Sequence, residues 1–218
     1  MIVSTEAIIL HSIKHSDNSV IVHAYTQKHG RMSYVVNGAR SKKSVLRSAL
    51  LQPLSIVSLQ TEILPKKNLQ RIKESSIARV FNSIPFDPSK NAICLFIAEL
   101  LYRSLKEPHV DSSLYAFLTE SIVILDEADE SIGNFHLVFL VGLSRYLGFE
   151  PQIETMHENY CFDMQNGIFT PQQILSEYLN STDSKLLASL LSLNYATMHS
   201  VQFQKDEKYR LLKALLAY

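Results

Sequence analysis

Four cations fall within the eight positions from 40 to 47: Arg40, Lys42, Lys43 and Arg47, interleaved with Ser41 and Ser44. Val35-Val36-Asn37-Gly38 leads into them, an apolar pair ending in a turn signal, and no acid lies between Asp17 and Glu62. Guanidinium, ammonium and hydroxyl donors crowded together suit the oxygens of a phosphate. The same run also reads as an ordinary solvated loop. A second basic group follows at Lys66, Lys67, Arg71 and Lys73, and Arg31 stands apart from both. The candidate polyanion contacts are therefore Arg31, Arg40, Lys42, Lys43, Arg47, Lys66, Lys67, Arg71 and Lys73.

Other chemistry is poorly supplied. A phosphate-cradling loop or a nucleophile elbow needs closely spaced glycines, and the chain has six glycines, none in such a motif. The eight histidines form no helical metal-binding pair with an intervening Glu, and His136 lies in an apolar run that reads as core. Asp126, Glu127, Asp129 and Glu130 read as a solvated helix end. The expectation is a protein that makes and breaks no bonds. A hydrolase is the most distant reading.

The formal net charge of zero conceals a division. Residues 1–80 carry twelve cations and four acids, and residues 81–218 carry nine cations and seventeen acids. A basic half favours a polyanion, and an acidic half repels one. No apolar run of about 18 residues exists to span a membrane, and no secretory leader is evident at Met1–Glu6. Cys94 and Cys161 give no disulfide framework. The expected location is cytoplasmic.

Two kinds of element must position these groups. Over residues 1–81, alternation at Thr5–Ile13, Val20–Thr26, Arg31–Asn37, Leu54–Ile63 and Leu69–Phe81 predicts five short strands, the second and third joined as a hairpin through Lys28-His29-Gly30. A five-stranded oligonucleotide-binding (OB) barrel has this size; an SH3-like barrel or half-sandwich shares the strand count. Tyr25 and Tyr34 are its only tyrosines, and each fits either a base-stacking platform or the core. Pro85, Asp87 and Pro88 mark a boundary. Residues 82–218 then read as a helical domain: a helix capped near Ser89, another capped at Ser112 or Ser113, and a central, nearly all-apolar one over Ile132–Leu147, stopped by Gly148 and Pro151. Ile174–Leu179, Asp183–Leu193 and Lys205–Leu216 follow as further helical segments. Residues 152–170 interrupt them with a small β-hairpin turning at Asn166-Gly167. The fold class is α+β and multidomain.

The order and spacing of Thr5-Glu6-Ala7-Ile8-Ile9-Leu10, Asp17-Asn18-Ser19, Thr26-Gln27-Lys28-His29-Gly30, Gly38-Ala39-Arg40-Ser41-Lys42-Lys43 and Leu51-Gln52-Pro53 resemble the N-terminal signature of the RecO DNA-repair family. Tyr146-Leu147-Gly148-Phe149-Glu150-Pro151 is similar to a second family segment. The resemblance implies an OB-fold followed by a helical domain and a recombination mediator. Such a protein binds single- and double-stranded DNA and anneals complementary strands. It contacts the acidic C-terminal tail of the single-stranded-DNA-binding protein (SSB) and, with RecR, helps load the RecA recombinase. Arg103, Lys106 and Arg145 are candidates for framing a groove for that tail; ordinary surface cations are the alternative. Many members carry a four-cysteine zinc site where this chain has His157, Cys161 and Asp163. Half a ligand set predicts no zinc, and Tyr160, Phe162, Ile168 and Phe169 are expected to hold the hairpin instead. A different class of reading is a non-catalytic adaptor that uses an OB-like barrel for protein contacts alone.

Overall fold

The computed structural model describes residues 2–37, 52–64, 67–129, 132–171 and 177–218. They form two compact units, Met1–Glu127 and Ala128–Tyr218.

Period-two alternation places every second side chain of a strand on one face, and in the first unit that face closes on itself. Strands β1 (Ile2–Lys14), β2 (Ser19–Thr26), β3 (Gly30–Asn37), β4 (Ile56–Glu62) and β5 (Leu69–Ile77) make a closed barrel in the order β1-β2-β3-β5-β4. Neighbours run antiparallel except β3 and β5, which pair in parallel through Ser33–Leu69 to Val35–Arg71. This is the expected OB-type barrel. Its interior is filled by Ala7, Ile9, Val22, Ala24, Tyr34, Val57 and Leu59, with Met32 and Ile72 against them. Tyr34 is 0% exposed and Tyr25 2%, so both tyrosines are core and neither offers a free face to a base. Burial pushes the Tyr34 hydroxyl up to about 12, with the Thr61 side chain pulling the other way.

Helix α1 (Pro88–Ser104) packs on β1 from outside, and α2 (Ser112–Glu127) packs on α1. The caps differ from expectation. Asp87, not Ser89, accepts from the Ser89 and Lys90 amides ahead of Pro88. Asp111, not Ser112 or Ser113, accepts from Ser113 and Leu114. A carboxylate at a helix start also favours the positive end of the dipole.

The expected solvated acidic run is a second correction, because Asp126 is buried. Its carboxylate accepts the backbone N–H groups of Asn82, Ser83 and Ile84, each at 2.9 Å. The buried ammonium of Lys90 donates to the Asp126 carbonyl at 2.9 Å and to Ser83 Oγ at 2.6 Å. Residues 82–84, which leave the barrel, are thereby tied to the start of α1 and the end of α2.

In the second unit, a turn of 3₁₀ helix over Ile132–Asn134 leads into α3 (Phe135–Leu147). The helix buries Phe135, Leu137, Val138, Phe139, Leu140 and Leu143, as its all-round apolarity requires. Gly148 ends it at φ 85°, a left-handed cap that suits glycine. The hairpin is present as β6 (Cys161–Asp163) and β7 (Ile168–Thr170), turning at Gly167 with φ 68°. A third strand, β8 (Tyr178–Leu179), pairs with β6 where a helical segment over Ile174–Leu179 was expected; residues 174–176 lie outside the described residues. Helices α4 (Ser181–Leu191) and α5 (Lys205–Ala217) complete the unit, joined by Arg210 Nε donating to Asp183 at 2.8 Å.

Candidate nucleic-acid interface

The outer face of β1, β2 and β3 is set by alternation and by one irregularity. On β3, Tyr34 and Val36 point into the barrel, so Arg31, Ser33 and Val35 point out. On β2, Val22 and Ala24 point in and His23 points out. On β1 strict alternation from Ile9 would turn His11 inward. A bulge at Leu10 shifts the register, so that Ile9 faces Ala24 and His11 faces His23. An extra residue in one strand reverses the faces beyond it, and His11 joins the outer surface.

Tyr102, near the end of α1, lies on this surface. Its ring stacks on His11 with centroids 4.5 Å apart and meets His23 at 5.2 Å. Arg31 Cζ lies 4.7 Å from the Tyr102 ring centroid, a cation–π contact. His23 Nδ1 shares a hydrogen bond of 2.8 Å with Ser33 Oγ. Burial, then Arg31 and His11, pull the His23 pKa below its ordinary value. Burial likewise pulls Arg31 down, offset in part by Tyr102.

Of these, His23, Arg31, Ser33 and Tyr102 line a cleft of about 810 Å³ together with residues of the β4–β5 connection and the end of α1. Among the described residues its cations are Arg31, Lys67, Arg103 and Lys106, and no acid lines it. The β4–β5 connection is held by Gln70, 4% exposed on β5. The Gln70 amide accepts from Leu64 N at 2.8 Å and donates to the Leu64 and Lys67 carbonyls at 3.1 and 2.5 Å. One buried amide thus fixes the backbone that presents Lys67.

Of the predicted polyanion contacts, the structure brings Arg31 and Lys67 into this cleft. Arg71 and Lys73 lie exposed on β5, the latter paired with Glu62 at 3.0 Å. Arg40, Lys42, Lys43, Arg47 and Lys66 lie outside the described residues. Arg103 and Lys106, read from sequence as tail contacts, also line the cleft, and Arg103 donates to Glu99 at 2.5 Å. Arg145 belongs to the second unit and donates to Glu150 at 2.9 and 2.5 Å. Sequence reasoning missed His11, His23, Gln70 and Tyr102. For His11 the signal is hidden by the bulge. Tyr102 left one, since an aromatic one residue before Arg103 offers a stacking face beside a cation.

Around the family's zinc position, His157 packs on Tyr160 with centroids 5.0 Å apart and Cys161 is buried on β6. Asp163, also buried, accepts from the Gln165 and Asn166 amides at 2.9 and 3.2 Å and from Asn166 Nδ2 at 2.6 Å. Burial opposes its ionisation, but these bonds outweigh it and keep its pKa below the ordinary value. Among the described residues no three His, Cys, Asp or Glu side chains stand together as a metal site. The hairpin is filled by Phe162 and Phe169, 5.0 Å apart, with Tyr218 5.4 Å from Phe162.

Comparison with known proteins agrees with the geometry along the whole chain. Residues 1–81 match the family profile "Recombination protein O N terminal" and residues 85–218 match "Recombination protein O C terminal". The chain is 41% identical over 220 residues to the DNA repair protein RecO of Bacteroides fragilis, covering 100% of this chain and 91% of that protein. It is 39% identical to the DNA repair protein RecO of Phocaeicola vulgatus and 35% identical to that of Flavobacterium psychrophilum, with the same coverage. With both halves matched, in order and on a barrel of the expected kind, the chain belongs to the RecO family of DNA repair proteins.

Proposed function

We propose that this protein is a non-catalytic mediator that binds single- and double-stranded DNA through its basic barrel and anneals complementary strands. The single observation that carries the reading is the cleft on the barrel's outer face, lined among the described residues by four cations and no acid. Each phosphate neutralised by a Lys or Arg releases condensed counterions, so such binding weakens steeply with salt and has little sequence preference. With Tyr25 and Tyr34 buried, contact through phosphates leaves the bases free to pair. Two strands coated by the basic half lose their mutual repulsion and are held together, which is all that annealing requires. Arg40, Lys42, Lys43, Arg47, Lys66, Arg71 and Lys73 extend the basic surface in this reading. The family resemblance supplies the rest of the proposal. The partners are the SSB tail and RecR, the outcome is RecA loading, and the site of action is the nucleoid in the cytoplasm. Among the described residues no helix is long and apolar enough to cross a membrane. For the acidic tail, Arg103 and Lys106 form one candidate contact and Arg145 another.

Strand annealing of complementary oligonucleotides tests the reading. The parent should accelerate annealing, with the effect lost at high salt and in a variant with Lys67 and Lys106 changed to Glu. A variant with Arg40, Lys42 and Lys43 changed to Glu should lose it too. No acceleration and no DNA binding even at low salt would reject the mediator reading in favour of a protein-only adaptor.

A further inference from the structure

Arg31 is a half-buried cation on β3. It forms no ion pair among the described residues, and residues 38–51 contain no acid. Its Nη1 is shielded from solvent and has no hydrogen-bond partner among the described residues. A guanidinium removed from water without an acceptor is costly, and here it faces a cleft whose other charges, Lys67, Arg103 and Lys106, have the same sign. What holds the group in place is aromatic. The Tyr102 ring lies 4.7 Å from Cζ, and the ring is itself stacked on His11 at 4.5 Å. A planar fork fixed on a ring loses less freedom on binding than a free side chain.

We infer that Arg31 is an anchor for one phosphodiester of a single strand entering this cleft, and that Tyr102 is the residue that positions it. The inference rests on the DNA-binding reading above and adds a substrate form and a positioning residue to it. A single strand can bend its backbone to bring a phosphate oxygen down to a recessed guanidinium. A duplex is rigid and wide, and offers its phosphates only at the rim, where Lys67 and Lys106 stand exposed. Arg31 therefore contributes to single-strand binding and not to duplex binding, and its contribution depends on the ring from α1.

The test is equilibrium binding of a labelled oligothymidylate, and of a duplex of equal length, to the full chain across a salt series. Variants are Arg31→Gln, Tyr102→Leu, Tyr102→Phe and the Arg31→Gln/Tyr102→Leu pair, with thermal unfolding as the folding control. Arg31→Gln and Tyr102→Leu should each weaken single-strand binding about tenfold, the size of one charge-assisted hydrogen-bond pair. Each should flatten the log–log salt slope by about 0.7. The pair should be no weaker than either alone, Tyr102→Phe should bind like the parent, and duplex affinity should hold. Should Tyr102→Leu unfold, Arg31→Lys, which keeps the charge but not the stacked fork, should show the same selective loss. Parent-like binding by Tyr102→Leu, additive losses in the pair, or equal losses on duplex would overturn the inference while leaving DNA binding intact. Failure of the parent to bind either nucleic acid would instead overturn the reading on which it rests.

Discussion

Asp126 shows how one side chain decides whether the barrel's exit is held. Burial works to raise its pKa, but the amides of Ile84, Asn82 and Ser83 and the Ser83 hydroxyl outweigh that and keep it below the ordinary value. A depressed carboxyl gives stability that is present above its unfolded pKa and lost as pH falls through the folded one. Asp126→Ala leaves the amides of Asn82, Ser83 and Ile84 without the carboxylate that accepts from them. It should cost about 2–4 kcal/mol in urea unfolding at pH 7, and acid unfolding of the variant should be flatter. At the alkaline end the sign reverses. Burial, then Asp126, pushes the Cys94 thiol up to about 12, and Tyr34 stands at about 12 as well. Both fold as neutral groups, so their contribution is complete below the unfolded values and declines as pH rises towards 12. Urea midpoints should fall from about pH 9 upward, and Cys94→Ala should remove the first part of that fall. Little of this was legible beforehand. An acid in the last turn of a helix opposes the dipole, which hints that Asp126 has donors of its own, but the donors lie more than forty residues away in sequence.

Among the elements, the β2–β3 turn carries the tightest constraint. Gly30 sits at φ +61°, and a Cβ there would run into the His109 carbonyl oxygen. Backbone cannot retreat as a flexible side chain can, so Gly30→Ala should destabilise the first unit by more than about 2 kcal/mol in urea unfolding. Gln70 does comparable service for the β4–β5 connection. Gln70→Leu should weaken DNA binding severalfold by loosening the backbone under Lys67, with a smaller loss when Lys67 is already Glu; additive losses would show that the amide acts elsewhere. The strands themselves were legible because Val20, Val22 and Ala24 alternate with outward residues and the period is two. The helix over Ile132–Leu147 was legible from its apolarity. What period alone could not give was the bulge at Leu10, which moves His11 to the outer face. Nor could it give the pairing of β8 with β6, which rests on two residues, too few to show a period.

At the scale of the whole chain, charge is divided between the basic first eighty residues and the acidic remainder, and the cleft concentrates one sign on the barrel. The division was plain from the sequence. That Arg31 and Lys67 meet Arg103 and Lys106 was not, since the pairs come from separate elements, with Lys67 36 residues and Arg31 72 residues before Arg103. A molecule arranged in this way should hold DNA by phosphate contacts at the basic face. The most direct measurement is the anisotropy of a labelled single-stranded oligonucleotide titrated with the full chain across a salt series. It should be made with the parent and with Arg31, Lys67 and Lys106 changed to Glu. The account predicts a log affinity falling linearly with log salt for the parent. For the triple variant it predicts a slope shallower by about 2, near 0.7 for each phosphate no longer neutralised. An unchanged slope and affinity in a folded triple variant would contradict the claim that this cleft is where the protein meets DNA.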